Sequence, residues 1–192
     1  MKIVTATNNK DKLEELRSIL LQLSIEVLSL DEAGFTGEID ETGTTFEENA
    51  IIKAKTVMRE TGLCAIGDDS GLVVDALGGE PGIYSSRYAE PGSRKLTVLE
   101  RLRSVPEENR TARFVSAIAC VFPDGETITT IGICEGRILK ECRGEGGFGY
   151  DPIFYIPEYE MTFAEMPPSL KNSISHRAKG IKLMAEKLKG RL

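Results

Sequence analysis

Arg113-Phe114-Val115-Ser116-Ala117-Ile118-Ala119-Cys120-Val121-Phe122, then Pro123-Asp124-Gly125, then Thr127-Ile128-Thr129-Thr130-Ile131-Gly132-Ile133-Cys134: this stretch decides the fold. Both flanking runs are rich in β-branched and apolar residues, and the Pro-Asp-Gly turn between them marks a hairpin. A further run from Arg137 to Cys142 continues the strand-rich region that opens at Ala112. Hairpin strands pair antiparallel, whereas the remainder of the chain alternates strand with helix. That order of elements predicts an α/β fold with a central mixed β-sheet flanked by helices.

Toward the N-terminus, Lys2 to Ala6 reads as a buried strand. The polar run Thr7-Asn8-Asn9-Lys10 follows, and Leu13, Leu16, Leu20 and Leu23 then recur at helical spacing. Ser24 to Leu30 predicts a second strand and Asp31 to Gly43 an acidic loop. A long helix is expected to start near Thr44 or Thr45, with Phe46, Ala50, Ala54 and Val57 as its apolar stripe and Gly62 as C-cap. From Cys64 to Val74, two short apolar runs flank what reads as an Asp68-Asp69-Ser70-Gly71 bend. Gly78 to Gly92 reads as a structured loop, and Leu96, Leu99 and Leu102 as a helix that stops before Pro106. Toward the C-terminus, a Gly-rich loop from Gly144 to Pro152 leads into a strand at Ile153 to Ile156. Past Pro167-Pro168, one final helix is expected to carry Ile174, Ala178, Ile181, Met184 and Leu188 on one face. No repeat or linker divides the 192 residues, so a single domain is expected.

The formal net charge of −6 provides no bulk attraction for nucleic acid or an anionic membrane surface. Binding of phosphate must therefore rely on a local pocket. Cys64, Cys120, Cys134 and Cys142 show no C-x-x-C spacing, which argues against structural zinc. No signal-peptide pattern opens the sequence, and no apolar run approaches the roughly 18 residues of a membrane span. A cytoplasmic setting with reduced thiols is the expectation. His176 is the only histidine, which rules out a multi-histidine metal site.

Five constellations can carry chemistry. In the first, a strand ends in Thr7-Asn8-Asn9-Lys10 and opens a helix; its unpaired amides, with Lys10 and Lys12, suit phosphate oxygens. The same turn can equally do no more than cap the helix, and no P-loop pattern exists in the chain. In the second, Thr45 and Glu48 have capping-box spacing, so Glu48 has a structural reading beside a catalytic one. Asn49 and Lys53 lie four apart on one helix face and can jointly address an anion, a solvated face being the alternative. Glu41, in the loop before the helix, is free to ligate a cation.

The third is Asp68-Asp69-Ser70-Gly71. Adjacent carboxylates at the end of an apolar strand call for a compensating cation, and Mg²⁺ takes one or two carboxylates together with phosphates and waters. A carboxylate touching such an ion can also position a water for attack on phosphorus. A tight Asx-type turn is the structural alternative. In the fourth, Phe148-Gly149-Tyr150-Asp151, two aromatics can stack on a purine or plug the core. In the fifth, Lys171, His176 and Arg177 crowd the start of the last helix, where cations are unfavourable to the helix dipole and so point to an anionic or carbonyl-bearing partner.

Taken in order, these segments resemble the inosine triphosphate pyrophosphatase family, also called dITP/XTP pyrophosphatases. The resemblance rests on Thr7-x-Asn9-x-x-Lys12, Phe46-x-Glu48-Asn49-Ala50-x-x-Lys53-Ala54, Asp68-Asp69-Ser70-Gly71-Leu72, Pro81-Gly82-Ile83-Tyr84-Ser85, Gly147-Phe148-Gly149-Tyr150-Asp151-Pro152 and Ser175-His176-Arg177. It implies an elongated sheet in one bilobal domain, 1–192, with the active-site cleft between the lobes, and a homodimer without nucleic-acid or membrane partners. The implied reaction is Mg²⁺-dependent hydrolysis of XTP, ITP and dITP to monophosphate and pyrophosphate.

Carried across by the resemblance, Thr7, Asn9 and Lys12 hold the triphosphate with Lys53 assisting, and the neighbouring Asn8 and Lys10 belong to the same turn. Glu41 and Asp69 hold Mg²⁺, and Asp69 is also the base that activates water. Asp68 supports, Ser70 touches substrate, and Phe148, Gly149, Tyr150 and Asp151 surround the base with Lys171, His176 and Arg177. Gly67 departs from relatives that carry alanine or a larger residue there, and Tyr150 from those with tryptophan. A pyrophosphatase for other modified nucleotides and a non-catalytic nucleotide-binding module are the competing readings.

Overall fold

The computed structural model describes residues 1–190. Seven strands form one mixed sheet in the order β2-β1-β3-β4-β5-β6-β7. They are β1 (Lys2–Thr5), β2 (Glu26–Leu28), β3 (Ala65–Val74), β4 (Thr111–Val121), β5 (Thr127–Ile138), β6 (Phe154–Ile156) and β7 (Met161–Thr162). The helices are α1 (Lys10–Leu20), α2 (Phe46–Thr61), α3 (Arg94–Arg101), α4 (Pro168–Ile174) and α5 (His176–Lys189). β1 runs parallel to both β2 and β3, while β6 is antiparallel to β5 and β7. The predicted α/β class with a mixed sheet is what the chain adopts.

The chain forms two compact units, and the division falls inside β3, β4 and β5. The first contains residues 1–69, 116–132 and the chain from His176 onward; the second contains 70–115 and 133–175. In the first, Ile3, Leu16, Leu20, Ile66, Ile118, Ile181 and Leu188 bury one core. Ala50 and Ala54 of α2 meet Ala117, Ala119 and Val121 of β4 in another, where small side chains let helix and sheet approach closely. The second unit packs Leu72, Val98, Phe114, Phe154 and Phe163 around a three-ring cluster.

Four sequence expectations need correction. Asp68-Asp69-Ser70-Gly71 makes no bend; it lies inside the continuous ten-residue strand β3. The runs 127–134 and 137–142 are one strand up to Ile138, because a Cβ at Gly136 would lie 2.6 Å from the Phe154 ring: the glycine marks a close approach of β6, not a turn. The strand expected over Ser24–Leu30 shortens to Glu26–Leu28. The final helix is two, since Ser175 is extended (φ −63°, ψ 156°) and separates α4 from α5. Ile174 and Ala178 therefore do not share one helical face.

Candidate functional site

Because successive residues of a strand point to opposite faces, β3 sends Asp68 and Asp69 apart rather than leaving two charges side by side. Each meets its own set of partners within the first unit.

Asp68 is gripped from three elements. Arg177 Nε donates to its Oδ2 at 2.7 Å, Lys12 Nζ lies 3.4 Å from the same oxygen, and Ser116 Oγ donates to Oδ1 at 3.1 Å. Arg177 in turn reaches Glu15 Oε2 at 2.6 Å. Burial works to raise the Asp68 pKa, but Lys12 and Arg177 outweigh it and hold the carboxyl well below the usual aspartate range. Burial opposes the charge on Arg177 too, yet Asp68 and Glu15 keep its pKa above the ordinary guanidinium value. Lys12 goes the other way: burial and the nearby Arg177 and Lys53 lower it despite Asp68.

Asp69 looks onto α2. Lys53 Nζ donates to its Oδ1 at 2.8 Å and Asn49 Nδ2 to its Oδ2 at 3.2 Å. The same ammonium lies 3.1 Å from Glu41 Oε2, so Glu41 and Asp69 converge on one cation. Burial, reinforced by the charge of Glu41, raises the Asp69 pKa against the pull of Lys53 and Lys12. Lys53 stays firmly protonated: burial disfavours its charge, but Asp69 and Glu41 more than compensate. Asn49 and Lys53 do address an anion, as their spacing suggests, and that anion is Asp69 itself.

The approach of α2 to β3 is set by Gly67. A Cβ there would stand 2.2 Å from the Ala50 carbonyl oxygen, so no larger residue fits while the helix keeps its place. Gly67 thus lets α2 come close enough for Asn49 and Lys53 to reach Asp69. At the start of α2, Thr45 Oγ1 accepts from Glu48 N at 3.1 Å, and Glu48 accepts from the amide and hydroxyl of Thr44. Those Thr44 bonds lower the Glu48 pKa. Glu48 is a cap, fixing the end of the helix that carries Asn49 and Lys53.

Beside Glu41 and Lys53 opens a cavity of about 640 Å³ whose lining includes Thr7, Asn8, Asp31 and Asp40. Asn9 Oδ1 accepts from Lys12 N at 3.2 Å and caps α1, while Thr7 Oγ1 accepts from Asn9 N. Asn8 and Lys10 are exposed. Glu41 and Asp69 already converge around a positive charge and present the hard oxygens that Mg²⁺ takes, so the donor set fits such an ion. Among the described residues no group of three His, Cys, Asp or Glu side chains gathers as a metal cluster. Two carboxylates with the rest of the shell from water and phosphate is the usual Mg²⁺ arrangement.

The second unit holds a separate cluster. Asp151 Oδ2 accepts from Lys171 Nζ at 2.6 Å and from Phe148 N at 2.8 Å, and Lys171 Nζ lies 4.7 Å from the Phe148 ring centre. Gly147, at φ +67°, lets the loop close over Asp151. Gly149 is exposed and Ser70 half-buried. Tyr150 does not stand open to a ligand: its ring is in the core and its hydroxyl donates to the Ser85 carbonyl at 2.9 Å. Burial pushes its pKa up to about 12. His176 opens α5 in the first unit, is 5% exposed, and has its carbonyl oxygen against Gly132, where a Cβ would lie 2.0 Å away.

Sequence reasoning missed Ser116 and Glu15. A polar residue within the apolar run of β4 was the signal for Ser116, which is fully buried. Glu15 stands three residues after Lys12 and so on the same face of α1.

The Ham1 family model matches residues 3–187. A dITP/XTP pyrophosphatase of Desulforamulus reducens is 51% identical over 191 residues, covering 97% of this chain and 94% of that protein. One from Bacillus subtilis is 48% identical, covering 96% of each chain. Among solved structures, a HAM1 protein from Coxiella burnetii superimposes with a TM-score of 0.91 at 41% identity, covering 99% of both chains. The Staphylococcus aureus Ham1 protein gives 0.90 at 39%, covering 100% of both. With the family model spanning nearly all of its length and these relatives alike from end to end, this chain belongs to the Ham1 family.

Proposed function

We infer that this protein hydrolyses deaminated purine nucleoside triphosphates, XTP, ITP and dITP, to the monophosphate and pyrophosphate. One observation carries the chemistry: Glu41 and Asp69 converge on a single cation beside the cavity that Thr7 and Asn8 line. The curated relatives bearing the name dITP/XTP pyrophosphatase support the substrate class.

Water attacks the α-phosphorus, the bond from that phosphorus to the bridging oxygen breaks, and pyrophosphate leaves. Asp69, whose pKa burial raises, accepts the proton of the attacking water. Lys53 and Lys12 neutralise charge developing on the leaving group. Glu41 and Asp69 would hold Mg²⁺, which when bound would further neutralise the phosphate charge. Thr7, Asn9 and the amides at the start of α1 orient the triphosphate, with Asn8 and Lys10 at its edge. Asp68 serves by anchoring Lys12 and Arg177.

Base selection follows from hydrogen-bond sign. Hypoxanthine and xanthine present a carbonyl acceptor at position 6, where adenine presents an amino donor. Donors from Lys171, His176 and Arg177 accept the former and reject ATP, because two donors would face one another. Phe148 offers its ring face to the purine. Residues 1–192 act as one functional domain; the phosphate-handling residues belong to the first unit and the Phe148, Asp151 and Lys171 cluster to the second. The resemblance further supports a homodimer, and cysteines held as thiols, none of them in a disulfide, a cytoplasmic setting; no described helix is long and apolar enough to cross a membrane.

Incubation with XTP, ITP, GTP and ATP, with and without Mg²⁺, tests the reading. Pyrophosphate from XTP and ITP but not from ATP, abolished by EDTA, is expected; rejection of GTP, which shares the 6-carbonyl, needs a further donor facing its 2-amino group. Orthophosphate release, or equal turnover of ATP, would overturn it.

A further inference from the structure

Both carboxylate oxygens of Asp69 are engaged by protein donors, Oδ1 by Lys53 and Oδ2 by Asn49. The two donors differ in freedom. Asn49 is fully buried, and its Oδ1 also accepts from Gly43 N at 2.8 Å, so it is fixed from both ends. Lys53 has a flexible four-carbon stem, and its second carboxylate, Glu41, is 30% exposed at the edge of the 640 Å³ cavity. Its ammonium also donates to the Asp68 carbonyl oxygen at 3.4 Å.

An ammonium bridging Glu41 and Asp69 fills the position from which a divalent ion would touch both. Two cations cannot share it, since like charges at that separation repel strongly. Free Mg²⁺ must therefore displace Lys53 and leave a buried ammonium without counter-charge, which is unfavourable. A polyphosphate chain in the adjoining cavity removes the difficulty, because it gives the ammonium a new anionic partner within reach of its stem.

Resting on the reading of Glu41 and Asp69 as cation ligands, we propose that Lys53 is an exchangeable counter-ion. It closes this pair to free divalent cations and yields when a polyphosphate draws its ammonium into the cavity, so that cation and nucleotide enter together. Linkage then requires that each raise the affinity for the other by the same factor.

The test is Mn²⁺ binding to the full-length protein, followed by water-proton relaxation, with and without the α,β-imido analogue of ITP. The wild type is expected to bind Mn²⁺ at least tenfold more tightly with the analogue than without it. Lys53→Met is expected to bind Mn²⁺ alone at least tenfold more tightly than wild type, with little further gain from the analogue. Lys55→Met, which removes an exposed charge from the same helix, should change Mn²⁺ affinity less than twofold. Equal Mn²⁺ affinity in wild type with and without the analogue overturns the proposal, and so does an unchanged Lys53→Met. The wild-type comparison needs no variant and stands even if Lys53→Met fails to fold. Turnover of XTP by wild type is scored separately: if pyrophosphate is released but the Mn²⁺ results are flat, the exchange fails and the function stands.

Discussion

Arg177 donates its Nε hydrogen to Asp68 Oδ2 at 2.7 Å across 109 residues of sequence. The bond fastens α5 to β3, and both side chains are nearly buried, 4% and 11% exposed. Removing Arg177 leaves buried Asp68 with Lys12 and Ser116 alone and takes the cation from Glu15, so Arg177→Met is expected to cost about 3–5 kcal/mol of folding stability. Urea denaturation at neutral pH measures it; a loss under 1 kcal/mol would show the pair to be dispensable.

The same pair sets an acid limit. Native Asp68 holds its charge well below the 3.8 of an unfolded aspartate. Its stabilisation is therefore complete above that value, erodes as pH falls below it, and is lost once pH drops through the depressed native pKa. Asp68→Asn should flatten stability against pH in that window. An unchanged acid slope contradicts the assignment.

Tyr150 sets the opposite limit. The unfolded phenol ionises near 10 and the native one near 12, so the unfolded chain loses its proton first and stability falls as pH rises between those values. Two units correspond to about 2–3 kcal/mol. Tyr150→Phe should remove that alkaline fall, and at neutral pH it should cost about 0.5–1.5 kcal/mol for the bond to Ser85. Chemical denaturation between pH 8 and 12 reports both.

Gly67 links packing to chemistry. In Gly67→Ala the new methyl meets a backbone carbonyl, and overpacking of this kind costs about 1–3 kcal/mol. Displacement of α2 would also carry Lys53 and Asn49 away from Asp69. A lowered melting temperature together with a lowered kcat is expected; wild-type kinetics would mean that α2 does not need this distance.

Asp69→Asn keeps the shape and removes the base. Loss of a positioned proton acceptor lowers kcat by about 10²–10⁴-fold. Binding of ITP, measured by calorimetry, should change far less. Near-normal turnover would remove Asp69 from its role.

Local pattern carried much of this molecule. Runs of β-branched and apolar residues and the Pro123-Asp124-Gly125 turn identified the hairpin, and the cap signals at Thr45 and Gly62 bracketed α2, whose observed caps are those residues. The Asp68-Asp69 pair was misread as a bend for a physical reason. Its compensating cations come from Lys12, Lys53 and Arg177, 56, 16 and 109 residues away from the carboxylates they meet, so nothing nearby in sequence announces them. Gly136 and Ser175 failed in opposite ways. A glycine that admits a neighbouring strand looks like a break, and a serine that ends a helix sits within an unbroken helical pattern. Tyr150 looked like a stacking aromatic because adjacency to glycine does not distinguish an open ring from a core ring.

The position of bond cleavage tests the central claim most directly. Hydrolysis of XTP in ¹⁸O-labelled water, followed by mass spectrometry of both products, should place the label entirely in the monophosphate, with unlabelled pyrophosphate released. Label in pyrophosphate, or release of orthophosphate, would contradict attack at the α-phosphorus.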